Sequence, residues 1–234
     1  MNRRGAQSMK KPKAVLFDLD DTIIDRRLTL GKYTLQLAAD YAYALTSLSA
    51  EQLGARIVQQ DAKGYKPRDQ FINDLMRTIP WSAPVTCDEL RSHWFQHYPI
   101  SSVVAEGARE VMEQLASEHL MLGIVTNGVT VIQHTKIDWL GIRSMMKTVI
   151  VSEEAGLRKP DRGIFAIALR EMNVQPEEVW FVGDHPVNDM IGAREAGLTP
   201  VWLRGKHQWP EDVTEPSIQI DHWLELLNLL RGEG

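Results

Sequence analysis

A single cysteine, Cys87, stands in a chain of 234 residues. That excludes an internal disulfide framework, and the lone thiol is read as a buried or partly exposed side chain without chemistry of its own. Long apolar runs are lacking as well. Stretches such as Leu120 to Val125 fall far short of the roughly 20 residues a membrane helix needs, so no bilayer-spanning segment is expected. Positive charge is in deficit: 26 Lys and Arg against 31 Asp and Glu leave a formal net charge of −5. Nucleic acids and anionic membranes are met by clustered Lys and Arg, so neither is an expected partner, and a small soluble substrate fits better. The opening Met1 to Lys13 carries Arg3, Arg4, Lys10, Lys11 and Lys13 but no apolar h-region, so it is not a secretory signal, and a cytoplasmic location is expected. Residues 1–13 read as a basic flexible tail. No internal repeat or low-complexity tract interrupts the rest.

What is present is a recurrent pattern. Ala14 to Leu19 is an apolar run ending in acid, and similar runs recur at Leu120–Thr126, Thr148–Ser152, Val179–Gly183 and Pro200–Leu203, implying five buried strands. Between the later runs lie segments with helical spacing: Val111, Met112, Leu115 and Ala116, then Ile164, Phe165, Ala168, Leu169 and Met172, closed by Asn173. Strand–helix alternation demands a mostly parallel sheet covered on both faces, because parallel neighbours need crossover connections. The expected class is α/β, doubly wound. About 100 residues separate the first strand from the second, too many for a crossover loop. Leu30, Tyr33, Leu37, Tyr41, Leu45 and Leu48 follow helical spacing there, as do Phe71, Leu75, Met76 and Ile79. Thr86-Cys87-Asp88-Glu89 is a capping-box pattern ahead of Leu90, Trp94 and Tyr98. The expected organisation is an α/β core of residues 14–27 and 103–234 with an inserted helical module at 28–102. Asp221 to Leu230 reads as a final amphipathic helix.

The chemistry gathers where strands end. Phe17-Asp18-Leu19-Asp20-Asp21-Thr22 crowds three carboxylates at the carboxyl end of a buried strand, the edge where open α/β sheets place their ligands. Asp18 and Asp20 lie two apart and share one side if the chain stays extended, a costly pairing of like charges without a cation. Gly183-Asp184-His185-Pro186-Val187-Asn188-Asp189 repeats the arrangement after Val179 to Val182. A hard divalent ion such as magnesium takes oxygen ligands from one or two carboxylates, and Asp18 and Asp184 would supply them. N-capping of the helix that follows is the plain alternative for Asp184 and Asp189, and Asp189 suits either role. Thr126-Asn127-Gly128 offers a hydroxyl, a side-chain amide and backbone amides for phosphate oxygens, or an ordinary turn. Lys159 stands immediately before Pro160 at a helix start, and a surface lysine is the plain alternative.

Taken in order, these four segments resemble the motifs of the haloacid dehalogenase-like hydrolase superfamily: Asp18-Leu19-Asp20-Asp21-Thr22, Thr126-Asn127, Lys159-Pro160, and Gly183-Asp184 through Asp189. The resemblance covers Ala14 to about Leu203. The insert resembles the C1-type cap of the subgroup containing phosphoglycolate-phosphatase-like and sialic-acid-phosphate-phosphatase-like enzymes. The resemblance implies a phosphatase acting on a small phosphorylated metabolite, with Asp18 as nucleophile and Asp20 as acid and then base. It implies Mg2+ held by Asp18, the backbone carbonyl of Asp20, and Asp184, with Asp189 in support. Thr126, the Asn127 backbone and Lys159 would bind the transferring phosphoryl group. Asp20 argues against a dehalogenase, which needs no acid–base group there. A phosphomutase and a non-catalytic binding protein stay as alternatives. Arg26, Lys66, Arg68 and His185 are candidates for substrate contacts, or else solvated surface charges.

Overall fold

Strands buried on both faces have no solvated side to mark with polar residues, which is why Ala-Val-Leu-Phe at 14–17 is apolar throughout. In the computed structural model, which describes residues 11–232, these four form β1 (Ala14–Phe17), every one of them buried. β2 (Met121–Thr126), β3 (Met146–Val151), β4 (Val179–Gly183), β5 (Thr199–Leu203) and β6 (Ile218–Ile220) complete one sheet. Its order is β3-β2-β1-β4-β5-β6, and every neighbouring pair is parallel. This is the doubly wound α/β sheet that the alternation predicts. The sixth strand is additional to the five predicted; at three residues it leaves no apolar run to read.

Among the described residues ten α-helices accompany the sheet: α1 (Arg26–Asp40), α2 (Ala50–Asp61), α3 (Arg68–Thr78), α4 (Cys87–His97), α5 (Ala108–Ser117), α6 (Thr130–Trp139), α7 (Ser152–Ala155), α8 (Arg162–Met172), α9 (Gly192–Glu195) and α10 (Trp223–Arg231). None of the described helices is long and apolar enough to cross a membrane. Backbone packing groups the chain into two compact units. One takes the chain up to Ile24, Val104–Gln133 and everything from Gly141 onward; the other takes Asp25–Val103 with His134–Leu140. These bounds differ from the expected 28–102 by a few residues, and residues 134–140, expected in the core, group with the helical unit.

In the α/β unit, α8 lays Ile164, Phe165 and Ala168 against Leu16 of β1, Val125 of β2 and Phe181 of β4, all buried. Burying the isoleucine, leucine, valine and phenylalanine side chains among them contributes about 1.5–3 kcal/mol each. Successive strand residues face opposite sides, and Phe17 meets Trp223 of α10, ring centroids 5.4 Å apart. Asn173 closes α8 in the left-handed conformation, φ 53°, as its place after the last apolar residue predicts. Of the expected basic tail, residues 1–10 lie outside the described residues. Lys11 and Lys13 pair with Glu118 at 3.0 Å and Glu178 at 2.6 Å.

In the helical unit, α1 to α4 enclose Tyr33, Leu37, Leu53, Ile57, Phe71, Leu75, Leu90 and Trp94. The Thr86–Glu89 capping box forms as read, and a second, Ser49–Gln52, opens α2. The helical spacing through Leu48 overreaches, because α1 stops at Asp40. Tyr41 and Leu45 are buried, but in the turns that follow, where Thr46 bonds Ser82 and Ser49 caps α2. Hydroxyl side chains that bond outside a helix favour just such exits.

The strand order fixes where a ligand would sit. From β1 the chain winds through β2 and β3 on one side, then crosses back so that β4, β5 and β6 extend the other side. The winding reverses between β1 and β4, and the crevice beyond the carboxyl ends of such a pair is the binding position of doubly wound sheets. Asp18 follows β1 and Asp184 follows β4. The Asp18 amide donates to Val182 O at 2.9 Å, locking the two strand ends together.

Candidate active site

Asp18 is buried, and its Oδ1 accepts a hydrogen bond from Lys159 Nζ at 2.6 Å. The same ammonium donates to Asp189 Oδ1 at 2.7 Å and is itself 2% exposed. No hydrogen bond holds the second oxygen of Asp18 among the described residues. Asn127 fixes the lysine's backbone from both sides: Lys159 N donates to Asn127 Oδ1 at 2.9 Å, and Asn127 Nδ2 donates to Lys159 O at 3.0 Å. The lysine is therefore no surface charge, and the amide of Asn127 serves to place it.

Asp184 and Asp189 are not the caps of the helix after β4. A π-type turn, Pro186–Ile191, begins there, and His185 caps it, Nδ1 accepting from the Val187 and Asn188 amides at 3.1 and 3.0 Å. His185 is thus tied to its own loop, and burial lowers its pKa. Asp189 turns back toward β4, accepting from the His185 amide through Oδ2 at 2.9 Å. Glycine at 183 permits this approach, since a Cβ there would lie 2.5 Å from Asp189 Oδ2. Asp184 Oδ1 accepts from Thr22 Oγ1 at 3.2 Å, its Oδ2 lies 3.3 Å from His207 Nε2, and its backbone carbonyl accepts from Trp202 Nε1 at 2.9 Å.

Electrostatically the group is short of positive charge. Carboxylate oxygens of Asp18, Asp184 and Asp189 lie within 4.8 Å of one another, all buried, and Lys159 is the ammonium bonded among them. Burial first, then the charges of Asp189 and Asp184, hold the Asp18 carboxyl well above the usual carboxylate range despite Lys159. Burial, Asp189 and Asp21 do the same to Asp184. Burial alone would push Lys159 down; the attraction of Asp18 and Asp189 outweighs it and raises its pKa. Hard, all-oxygen donors with excess negative charge are what a magnesium ion requires, so the residues fit that ion.

Asp20 and Thr126 are joined by a residue the sequence reading missed. Gln133 Nε2 donates to Thr126 Oγ1 at 2.7 Å and to Asp20 Oδ2 at 3.0 Å. Gln133, Ile137 and Leu140 recur at i, i+4 and i+7 and are all buried, so a polar side chain on an apolar stripe was the available signal. Gly128 leaves it room, because a Cβ there would meet the Gln133 side chain at 2.7 Å. His207 was also missed, and nothing in its local sequence marks it. Arg26, Lys66 and Arg68 lie in the helical unit. Arg26 is buried in a double hydrogen bond with Asp61 at 2.9 and 2.6 Å, Lys66 pairs with Asp74 at 2.8 Å, and the Arg68 guanidinium lies 4.6 Å from the centre of the Trp94 ring.

With this geometry the chain belongs to the haloacid dehalogenase-like hydrolases, a family that matches residues 15–203. It is 33% identical to the glyceraldehyde 3-phosphate phosphatase of Methanopyrus kandleri over 234 residues, covering 94% of this chain and 97% of that one. It is 30% identical to the ribulose-1,5-bisphosphate 5-phosphatase of Halopiger xanaduensis, over 93% and 97% of the two chains. A magnesium-bound HAD-hydrolase of Bacillus subtilis has the same fold, with a TM-score of 0.75 at 22% identity over 94% and 99% of the two chains.

Proposed function

We propose that the chain is a magnesium-dependent phosphatase that hydrolyses a small phosphorylated metabolite through a phospho-aspartate on Asp18. The observation that carries this reading is the buried set at the ends of β1 and β4, in which Lys159 bonds both Asp18 and Asp189 beside Asp184. Phosphoryl transfer needs a positioned nucleophile, fixed positive charge around the equatorial oxygens and a proton donor for the leaving group. Asp18 attacks phosphorus through the oxygen that Lys159 does not hold. As the ester bond breaks, Asp20 passes its proton to the departing alkoxide, which leaves as the alcohol. Asp20, now a carboxylate, then takes a proton from water as that water attacks phosphorus; the acyl–phosphate bond breaks, inorganic phosphate departs and Asp18 is regenerated. Gln133 keeps Asp20 and the Thr126 hydroxyl in register through both steps. Thr126, the Asn127 backbone and Lys159 bind the transferring oxygens.

Asp18, Asp184 and the backbone carbonyl of Asp20 would hold the magnesium ion, with Asp189 keeping Lys159 in place. When bound, the ion offsets the repulsion between the carboxylates and an incoming phosphate. Dehalogenation fits less well, because that chemistry has no use for an acid–base carboxylate at 20 or for the amide that orients it.

The name of the Methanopyrus relative makes glyceraldehyde 3-phosphate the first substrate to try, beside other sugar, nucleotide and short-acid phosphates. Phosphate release from this panel, with Mg2+ and after chelation, tests the reading. Release that requires Mg2+ is expected. Undiminished activity after exhaustive metal removal, or halide release from a haloacid in its place, would contradict it.

A further inference from the structure

A second group of metal-ligating side chains lies wholly within the helical unit. Asp40 is the last residue of α1, and His93 and His97 stand one turn apart on α4. His93 Nε2 is 3.0 Å from Asp40 Oδ2. The two imidazoles are stacked, ring centroids 4.3 Å apart and planes 26° from parallel. One donor atom from each of the three side chains lies within 4.8 Å of the others. Tyr33 Oη sits 3.2 Å from His93 Nδ1, and Gln36 Nε2 donates to Asp40 Oδ2 at 2.7 Å.

We infer that Asp40, His93 and His97 form a binding site for a borderline divalent transition-metal ion such as zinc. The donor set, two imidazole nitrogens and one carboxylate oxygen, is the type zinc accepts with a fourth position left to water. Magnesium does not choose imidazole, so this site differs in kind from the oxygen cluster of the α/β unit. Zinc–ligand bonds of about 2.0–2.1 Å in a tetrahedron separate donors by roughly 3.3–3.4 Å. The His93–Asp40 pair is already near that spacing. His97 completes it by a side-chain adjustment that breaks nothing, since its ring makes no hydrogen bond among the described residues.

A simple hydrogen-bonded pair, His93 to Asp40, accounts for part of this arrangement but not for a second imidazole stacked on it with no hydrogen-bond partner among the described residues. The outer contacts also favour an ion. Ligating histidines characteristically engage their second ring nitrogen, which fixes the tautomer, and Tyr33 holds Nδ1 of His93 in that way. Asp40 is exposed and His97 half-buried, so an ion has a route in from solvent. Bound there, it would clamp the end of α1 to α4.

Calorimetric titration of the full-length protein with Zn2+ in excess Mg2+ tests the site, with thermal unfolding as a second readout. One zinc per chain and a raised unfolding temperature are expected. His97→Ala should weaken binding by at least tenfold while leaving the metal-free circular dichroism unchanged, because that ring makes no hydrogen bond among the described residues and only stacks on His93. Tyr33→Phe should weaken it by roughly 10–100-fold through the lost partner of Nδ1. Asp184→Asn should leave it unchanged. Absence of zinc binding in excess Mg2+, wild-type affinity in His97→Ala, or loss of binding in Asp184→Asn would each overturn the inference.

Discussion

Lys159 bonds Asp18 at 2.6 Å and Asp189 at 2.7 Å, so it is both the fixed positive charge of the site and the restraint on its nucleophile. Removing one such preorganised donor typically costs about 10²–10³ in turnover. Lys159→Ala is expected to fall by that much in steady-state phosphate release with the fold retained; near wild-type turnover would remove the lysine from the mechanism. Asp184 makes a second prediction, for stability. Its folded-state pKa is raised above the ordinary 3.8, chiefly by burial. A carboxyl raised in this way contributes stability that is complete below its unfolded pKa and lost as pH rises through the folded one. In metal-free protein, Asp184→Asn should therefore unfold at a higher temperature than wild type near neutral pH, with the gap closing toward pH 4. Added Mg2+ should raise wild type more than the variant. A gap that is constant with pH would contradict the assignment of a buried, uncompensated charge. At this scale the motif carboxylates were legible because acids crowded at strand ends are unusual in sequence, whereas Lys159 stood out only through the resemblance of Lys159-Pro160 to a family motif. Gln133 was not: its meaning lies in the hydroxyl and carboxylate it joins, which are seven and 113 residues away.

Elements were legible in proportion to how completely they are buried. β1 and β4, buried at every position, show as plain apolar runs. α2 went unread because only Leu53, Ile57 and Asp61 are buried in its 12 residues, too few for a stripe, although Ser-x-x-Gln at 49–52 marked its start. α1 was read too long because Tyr41 and Leu45 keep helical spacing while packing from turns. The turn after β4 depends on a missing Cβ. Gly183→Ala would set a methyl 2.6 Å from Asp189 Cγ, displacing the carboxylate from Lys159. Overpacking of this kind costs about 1–3 kcal/mol, so a lowered urea midpoint together with reduced turnover is expected. Unchanged activity would mean that Asp189 is not needed where it stands. The cap of α4 gives the contrasting case. Thr86→Ala removes one half of a capping box and should cost about 1 kcal/mol in urea unfolding.

For the whole molecule, the order of strands does what no single motif can. Asp18, Thr126, Lys159 and Asp184 are scattered along the chain, and the α/β unit collects them because each follows, ends or lies just beyond a strand of one parallel sheet wound in two directions from β1. The parallel, doubly wound class of that sheet was legible from alternation; its sixth strand was not. The helical unit was legible as an interval too long for a crossover that carries helical spacing and the Thr86–Glu89 capping box, whereas its boundaries depend on packing between distant segments and left no local mark. The grouping of His134–Leu140 with Asp25–Val103 left no trace in sequence, since α6 runs through Gln133 without a break.

The central claim is that Asp18 carries the phosphoryl group and Asp20 releases it, and the two steps separate when the leaving group needs no proton. With an activated aryl phosphate and Mg2+, Asp20→Asn should give a stoichiometric burst of phenolate followed by turnover slowed by about 10²–10⁴-fold. Mass spectrometry of the quenched Asp20→Asn protein should then find the added phosphoryl group on Asp18. Phosphate on another residue, or no covalent phosphate despite a burst, would contradict the mechanism.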